Sequence, residues 1–264
     1  MHPILFEIAG FPIYSFGLLV GAAFIAATAL AAYRANRMGQ SPEGMVEAAC
    51  WIIASGILGA RLCYFIFFPA LFLEDPLGSL LSRGGLVWYG GMISVLATMG
   101  IIAKRKRIPF LLFLDIWAMP AALGLAIGRL GCLMAGCCFG APCDLPWAVQ
   151  YPAGHETFPT HVHPSPLYET LSLLVLMGLM NWHEKKEGHR VGHSSVWFLV
   201  GYGVIRFVGE YFRGDRLVWL QAVNLSASQV ISLAGIVCGL LLLWIVSWGK
   251  THPVNASKAT SSSL

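Results

Sequence analysis

Seven stretches of this chain are long and apolar enough to be read as bilayer-crossing segments, and no other feature constrains the fold as strongly. They run at about residues 14–33, 45–69, 86–103, 109–134, 166–183, 195–213 and 228–248. A helix needs about 20 apolar residues to cross a hydrocarbon core of roughly 30 Å. Lipid offers no partners to bare peptide groups, so only helices or closed barrels satisfy their backbone there. Runs rich in Leu, Ala and Gly, without alternating polarity, point to helices. The composition agrees, with 57% hydrophobic and 11% charged residues and a mean hydropathy of +0.69. A typical soluble domain carries about 25% charged residues, so an ordinary soluble enzyme and a disordered chain are both disfavoured. The net charge of +4 is too small to suggest a nucleic-acid partner. The first segment has no basic residue before it and exceeds a usual signal-peptide core, so it is expected to remain as a span.

Lys and Arg set the expected orientation. Eleven of the 17 lie in one alternating set of loops: Arg34, Arg37, Lys104, Arg105, Lys106, Arg107, Lys185, Lys186, Arg190, Lys250 and Lys258. The opposite set holds only Arg83, Arg213 and Arg216. Basic loops stay cytoplasmic. The expectation is therefore an all-α polytopic membrane protein with seven transmembrane helices, its N-terminus outside and its C-terminus cytoplasmic. Residues 1–249 are expected to form one transmembrane domain, and the polar residues 250–264 a disordered cytoplasmic tail. Small residues at helical spacing, Gly17, Gly21 and Ala22 and then Gly56, Gly59 and Ala60, are expected to let helices approach closely.

A charge inside a membrane segment costs about 2.5–3.5 kcal/mol on insertion scales and is a functional candidate by default. Arg61, Asp115, Arg129, Glu169, Arg206 and Glu210 are such charges. The bland reading is an ion-pair network that fixes helix register. The expected topology, however, gathers several on the outer side. Arg129 and Arg206 fall near the outer ends of their segments. Gly84, Gly85, Trp88, Tyr89, Gly90 and Gly91 open the third segment, and Tyr168 and Glu169 open the fifth. Arginine stays charged, and its planar fork suits phosphate oxygens. Glycines let backbone N–H groups approach an anion. These residues read as a site for an anionic lipid head group, open to the outer leaflet.

Four ordered motifs then carry a resemblance. GGLVWYGG (84–91), IGRLGCLMAGCCFG (127–140), HPSPLYE (163–169) and YGVIRFVGEYFR (202–213) resemble the bacterial prolipoprotein diacylglyceryl transferase family, and SASQVISL (226–233) fits the start of its last helix. The resemblance covers nearly the whole chain. It implies transfer of a diacylglyceryl group from phosphatidylglycerol to the thiol of a lipobox cysteine in a preprolipoprotein signal peptide, with glycerol 1-phosphate leaving. It also implies a multi-pass protein of the bacterial inner membrane, in contact with membrane lipids, and no cofactor. Arg129, Arg206, Tyr202 and Tyr89 take the catalytic positions. Gly90, Gly91, Gly128, Cys132, Cys137, Gly140, Tyr168, Glu169 and Glu210 take the substrate-binding ones. Arg129 and Arg206 would hold the phosphate and stabilise the leaving group.

The chain departs from the family pattern at several of these positions. Cys132 and Cys137 stand where the family signature has an asparagine and a glutamate, and Ala135 where it has a second asparagine. Tyr89 takes the place of the histidine before the paired glycines, and Phe16 that of a tyrosine. Either Tyr202 or another group activates the acceptor thiol, or positioning matters more than a base. A divergent branch with another acceptor or lipid donor is one alternative. A non-catalytic membrane protein that binds anionic lipid or metal is another. Cys132, Cys137, Cys138 and Cys143, with His155, His161 and His163 downstream, read as a disulfide in an oxidising compartment, a metal site, or small packing residues. The spacing matches no C-x2-C pattern, so no metal is expected, and no cysteine is expected to be an obligatory nucleophile.

Overall fold

The computed structural model describes residues 4–8, 11–69, 87–214, 216, 218–220 and 224–248. Arg83, the glycine pair Gly84 and Gly85, and the tail 250–264 lie outside the described residues. All seven apolar segments are helices: α1 (Ser15–Arg37), α2 (Pro42–Phe67), α3 (Trp88–Arg105), α4 (Phe110–Ala135), α5 (Ser165–Glu187), α6 (His193–Gly209) and α7 (Ala227–Trp248). Four of them, α1, α2, α4 and α7, are long and apolar enough to cross a membrane. Their outward faces suit lipid: Leu58, Leu62 and Ile66 line an exposed side of α2, and Trp248 ends α7 at 77% exposure.

The chain is not purely helical. Among the described residues, three two-stranded antiparallel hairpins accompany the helices. They pair β1 (Ile4–Ile8) with β2 (Phe11–Tyr14), β3 (Val149–Gln150) with β4 (His161–Val162), and β5 (Val218–Leu220) with β6 (Leu225–Ser226). Strands of two to five residues are too short to stand out as a period-2 pattern beside long apolar runs.

Two compact units are present, residues 31–114 and residues 1–30 with 115–264. In the unit of residues 31–114, Ser41 caps α2 by accepting the Gly44 N–H at 3.0 Å. Here the small-residue reading holds for Gly59: a side chain there would run into Ser94 and the Gly90 carbonyl, and one at Gly90 into Cys63. These glycines bring α2 and α3 into backbone contact. Gly17 and Gly21, in the other unit, do not act this way, because added side chains there would meet nothing among the described residues.

The larger unit is built around α4, α5 and α6. Ala118, Met119, Ala122 and Ala126 of α4 pack with Leu173, Leu176 and Met180 of α5, and Phe198, Tyr202 and Ile205 of α6 close over them. Thr170 donates to the Ala126 carbonyl at 3.1 Å and ties α5 to α4. Gly203 faces Ile236 and the Ser232 carbonyl, and Gly239 faces Leu199 and Val200, so α6 and α7 also run close. Ser226 and Gln229 form a reciprocal capping box at the start of α7, each side chain accepting the other's backbone N–H at 3.0–3.2 Å.

Asp115 is a structural charge. It is fully buried and accepts the Ser195 N–H at 2.8 Å, the Ser195 hydroxyl at 2.6 Å and the Gly192 N–H. It thereby satisfies donors at the start of α6 that the helix itself leaves orphaned. Leaving a buried donor unmet costs about 1–3 kcal/mol. Asp115→Ala should therefore lower the thermal unfolding temperature in detergent by several degrees, and Asp115→Asn by less. Equal unfolding temperatures for wild type and Asp115→Ala would remove this role.

Candidate active site

Alternating helix direction brings one end of α4, α5 and α6 together. Arg129 lies in the last two turns of α4, Glu169 in the second turn of α5, and Arg206 in the last turn of α6. The Arg129 Nε lies 2.9 Å from Glu169 Oε2, and the Arg206 Nη1 lies 3.3 Å from the same oxygen. Arg206 also reaches Glu210 Oε2 at 3.4 Å and Ser228 Oγ at 3.2 Å, and Arg213 approaches Glu210 Oε2 at 3.9 Å. The Arg129, Arg206 and Glu169 side chains are only 17%, 15% and 10% exposed. Such burial makes each charge expensive unless paired.

Three guanidinium groups thus face two carboxylates, with an excess of one positive charge. They line a cavity of about 250 Å³ together with Tyr168, Ser165, Cys138 and apolar side chains from α6. A cavity lined by three guanidinium groups and by apolar walls suits a phosphodiester joined to hydrocarbon. Among the described residues, the Oε1 of Glu169 is buried without a hydrogen-bond partner. It offers an acceptor to a hydroxyl of a bound head group.

The loop after α4 is held from several sides. Gly136 and Cys138 turn the chain through left-handed backbone, φ +80° and +59°. His155 places Nε2 2.7 Å from the Gly136 carbonyl and stacks on buried Tyr151 at 4.2 Å. Burial pushes the Tyr151 hydroxyl up to about 12. Gly140 donates its N–H to the His163 carbonyl at 3.0 Å, Ala141 donates to Phe212, and Gly214 donates to Phe139. A side chain at Gly140 would strike the His163 backbone. This lacing fixes the segment that carries Arg213. Tyr168 accepts from Trp147 Nε1 at 2.8 Å and meets His163 Nδ1 at 3.1 Å.

Most of the expected site residues come together. Arg129, Arg206, Tyr168 and Glu169 line the cavity, Glu210 is paired to two of its arginines, and Cys132, Cys137 and Gly140 lie in the adjoining loop and helix end. Tyr202 packs against Phe198 and interacts electrostatically with Arg129, Arg206 and Glu169. Gly128 has open space where a side chain would stand. Tyr89, Gly90 and Gly91 belong to the unit of residues 31–114, at the start of α3. Arg213 and Cys138 join the cavity although their motifs alone did not mark them. The signal for Arg213 was its spacing, three residues after Glu210 and seven after Arg206.

Cys132, Cys137, Cys138 and Cys143 are free thiols. The Sγ atoms of Cys132, Cys137 and Cys138 lie within 4.8 Å of one another. Arg129 Nη1 lies 3.7 Å from Cys138 Sγ. Hydrogen bonds from Cys132 and Cys137, then Arg213 and Arg129, hold the Cys138 thiol well below the usual thiol range, while hydrogen bonds with Cys132 and Cys138, and burial, push Cys137 up.

Helices long and apolar enough to cross a membrane, with an arginine-lined cavity where α4, α5 and α6 meet, define the class as a membrane protein. The particular family follows from comparison. The chain matches the prolipoprotein diacylglyceryl transferase family over residues 3–245 and belongs to it. The phosphatidylglycerol–prolipoprotein diacylglyceryl transferase of Polynucleobacter necessarius subsp. necessarius (strain STIR1) is 33% identical over 249 residues, 91% of this chain and 94% of that one. The proteins of the same name from Bordetella parapertussis (strain 12822) and Clostridium tetani (strain Massachusetts / E88) are 34% and 31% identical, over 90% and 95% of this chain and 93% and 100% of theirs.

Glu169 anchors both arginines, so neutralising it should cost about 2 kcal/mol of transition-state stabilisation, roughly thirtyfold in kcat/KM. Purified Glu169→Gln, assayed for diacylglyceryl transfer, should show that loss with an unchanged helical spectrum. Wild-type kcat/KM in this variant would deny the anchor a role.

Proposed function

We propose that this chain transfers the diacylglyceryl group of phosphatidylglycerol to the lipobox cysteine thiol of preprolipoproteins, the first step of bacterial lipoprotein maturation. The observation that carries this reading is the pair of arginines, Arg129 and Arg206, fastened to one oxygen of Glu169 on a single cavity. The lipid phosphate binds in the cavity that the two guanidinium groups line. The acceptor thiol gives its proton to water, its sulfur attacks the diacylglycerol carbon that bears the phosphate, that C–O bond breaks, and glycerol 1-phosphate leaves with the electron pair. Arg129, Arg206 and Arg213 stabilise the growing negative charge, and the preformed cavity supplies orientation. Tyr202, beside Arg129 and Glu169, orients the guanidinium groups. Tyr89, Gly90 and Gly91 keep the catalytic and substrate-binding roles that the resemblance gives them, and residues 1–249 are read as one transferase.

The protein is read as multi-pass in the bacterial inner membrane, with α3, α5 and α6 also crossing it. The asymmetry of Lys and Arg supports an outer N-terminus and a cytoplasmic C-terminus. Reporter enzymes fused at Gly154 and Gly188 should then report periplasm and cytoplasm. The same compartment at both sites would remove at least one span.

The activity is tested by expressing the chain in bacteria depleted of their own diacylglyceryl transferase. Growth and lipidated lipoprotein, followed by mass spectrometry, are expected. Arg129→Ala should abolish transfer, and Arg129→Lys should rescue poorly, because a point charge cannot make two parallel contacts to a phosphate. Near-normal turnover by purified Arg129→Lys would sink the two-contact role.

A further inference from the structure

We propose that Cys132, Cys137 and Cys138 form a three-thiolate zinc site whose fourth position takes the acceptor thiol. The inference rests on the transferase reading above and names how the acceptor is activated. The three Sγ atoms lie within 4.8 Å of one another. Tetrahedral zinc, with Zn–S bonds of about 2.3 Å, sets thiolates about 3.8 Å apart. Small side-chain rotations close that difference, because the backbone is already folded for it. The Cys137 N–H donates to the Cys132 carbonyl at 3.1 Å, and the two left-handed residues, Gly136 and Cys138, curl the chain back on the end of α4. Left-handed backbone is unfavourable for a cysteine, so the loop holds Cys138 there against its preference.

The cluster adjoins the chemistry. Cys138 lines the cavity with Arg129 and Arg213, while Cys137 is exposed. Among the described residues no histidine or carboxylate belongs to the cluster. Three protein ligands with an open fourth position is the pattern of catalytic zinc, whereas structural sites close all four. Three thiolates on zinc carry one net negative charge, and the neighbouring Arg129 and Arg213 offset it. A metal that binds a thiol deprotonates it outright, which makes a separate base unnecessary.

The step balances without redox. The acceptor thiol binds zinc as thiolate and its proton passes to water. The sulfur lone pair forms the C–S bond as the glycerol C–O bond breaks. The bonding pair departs on the phosphate oxygen of the leaving group, and zinc is released from the thioether product for the next thiol.

The test uses the full chain in detergent under reducing conditions, stripped with a chelator and then reloaded with Zn2+ or Co2+ alone. About one zinc per chain is expected by mass spectrometric elemental analysis, lost in Cys137→Ser and in the triple Ser variant and kept in Cys143→Ser. The Co2+ form of the wild-type chain should show thiolate charge-transfer absorption. Its visible bands should shift with a lipobox peptide carrying cysteine and not with the serine peptide. Stripping should lower transfer at least about tenfold, with Zn2+ restoring it. Because the Co2+ spectrum is read on wild type, the result does not depend on any variant folding. Zinc content no higher than in the triple variant, or full transfer by the stripped chain, overturns the zinc site and leaves the transferase standing. A folded, zinc-loaded chain that transfers nothing overturns the transferase reading, and with it the acceptor role of the zinc.

Discussion

The carboxylate of Glu169 is the interaction on which the site depends. Two guanidinium groups from two different helices meet one of its oxygens at 2.9 and 3.3 Å. Placed alone on apolar helices, each arginine would carry a large desolvation cost. Placed together without the acid, they would repel. With Glu169 between them the ends of α4, α5 and α6 are drawn to one point, and the apolar contacts of Leu173, Tyr202 and Ile205 follow. The arginine-lined cavity is therefore a by-product of how these helices are held, and Arg213 is added to it from the segment just beyond α6.

Much of this was legible in the residues. The apolar runs predict seven helices within a few residues of those found, because length and lack of alternation decide helix over strand in lipid. Arg129, Glu169 and Arg206 announced themselves by the cost of their charge. What remained hidden was mostly tertiary. The separation of Asp115, a capping group, from the site arginines depends on which backbone donors face it, and no sequence pattern states that. The hairpins are too short to read. The approach of Gly59 to Gly90 joins residues 31 positions apart, while Gly17 and Gly21, at the same helical spacing, face open space. The cysteines are the sharpest case. Linear spacing from Cys132 to Cys137 and Cys138 matches no familiar ligand pattern, yet two left-handed residues bring the three sulfurs together.

The loop after α4 shows how such a turn is kept. His155 bonds the Gly136 carbonyl and stacks on Tyr151, so a histidine read as a possible ligand serves instead as a brace. Gly140 lies against the His163 backbone, and the neighbouring strand-like contacts reach Phe212 and Gly214. Cys138 and Arg213 enter the same cavity because these two segments are laced to each other, although 75 positions separate them in the chain.

The Asp115 cap has a mechanical side. It grips α6 at Ser195, and Arg206 sits 11 residues further along the same rod, about 16 Å away at 1.5 Å per residue. A tilt of about 5° at the gripped end would swing the guanidinium by roughly 1.4 Å, and a misplacement near 1 Å can cost about a hundredfold in rate. The helix works as a lever whose fulcrum lies at the opposite end of the bundle from the load. Lesions in the far-side anchor would thus show up as slow chemistry in a protein whose catalytic groups are all intact.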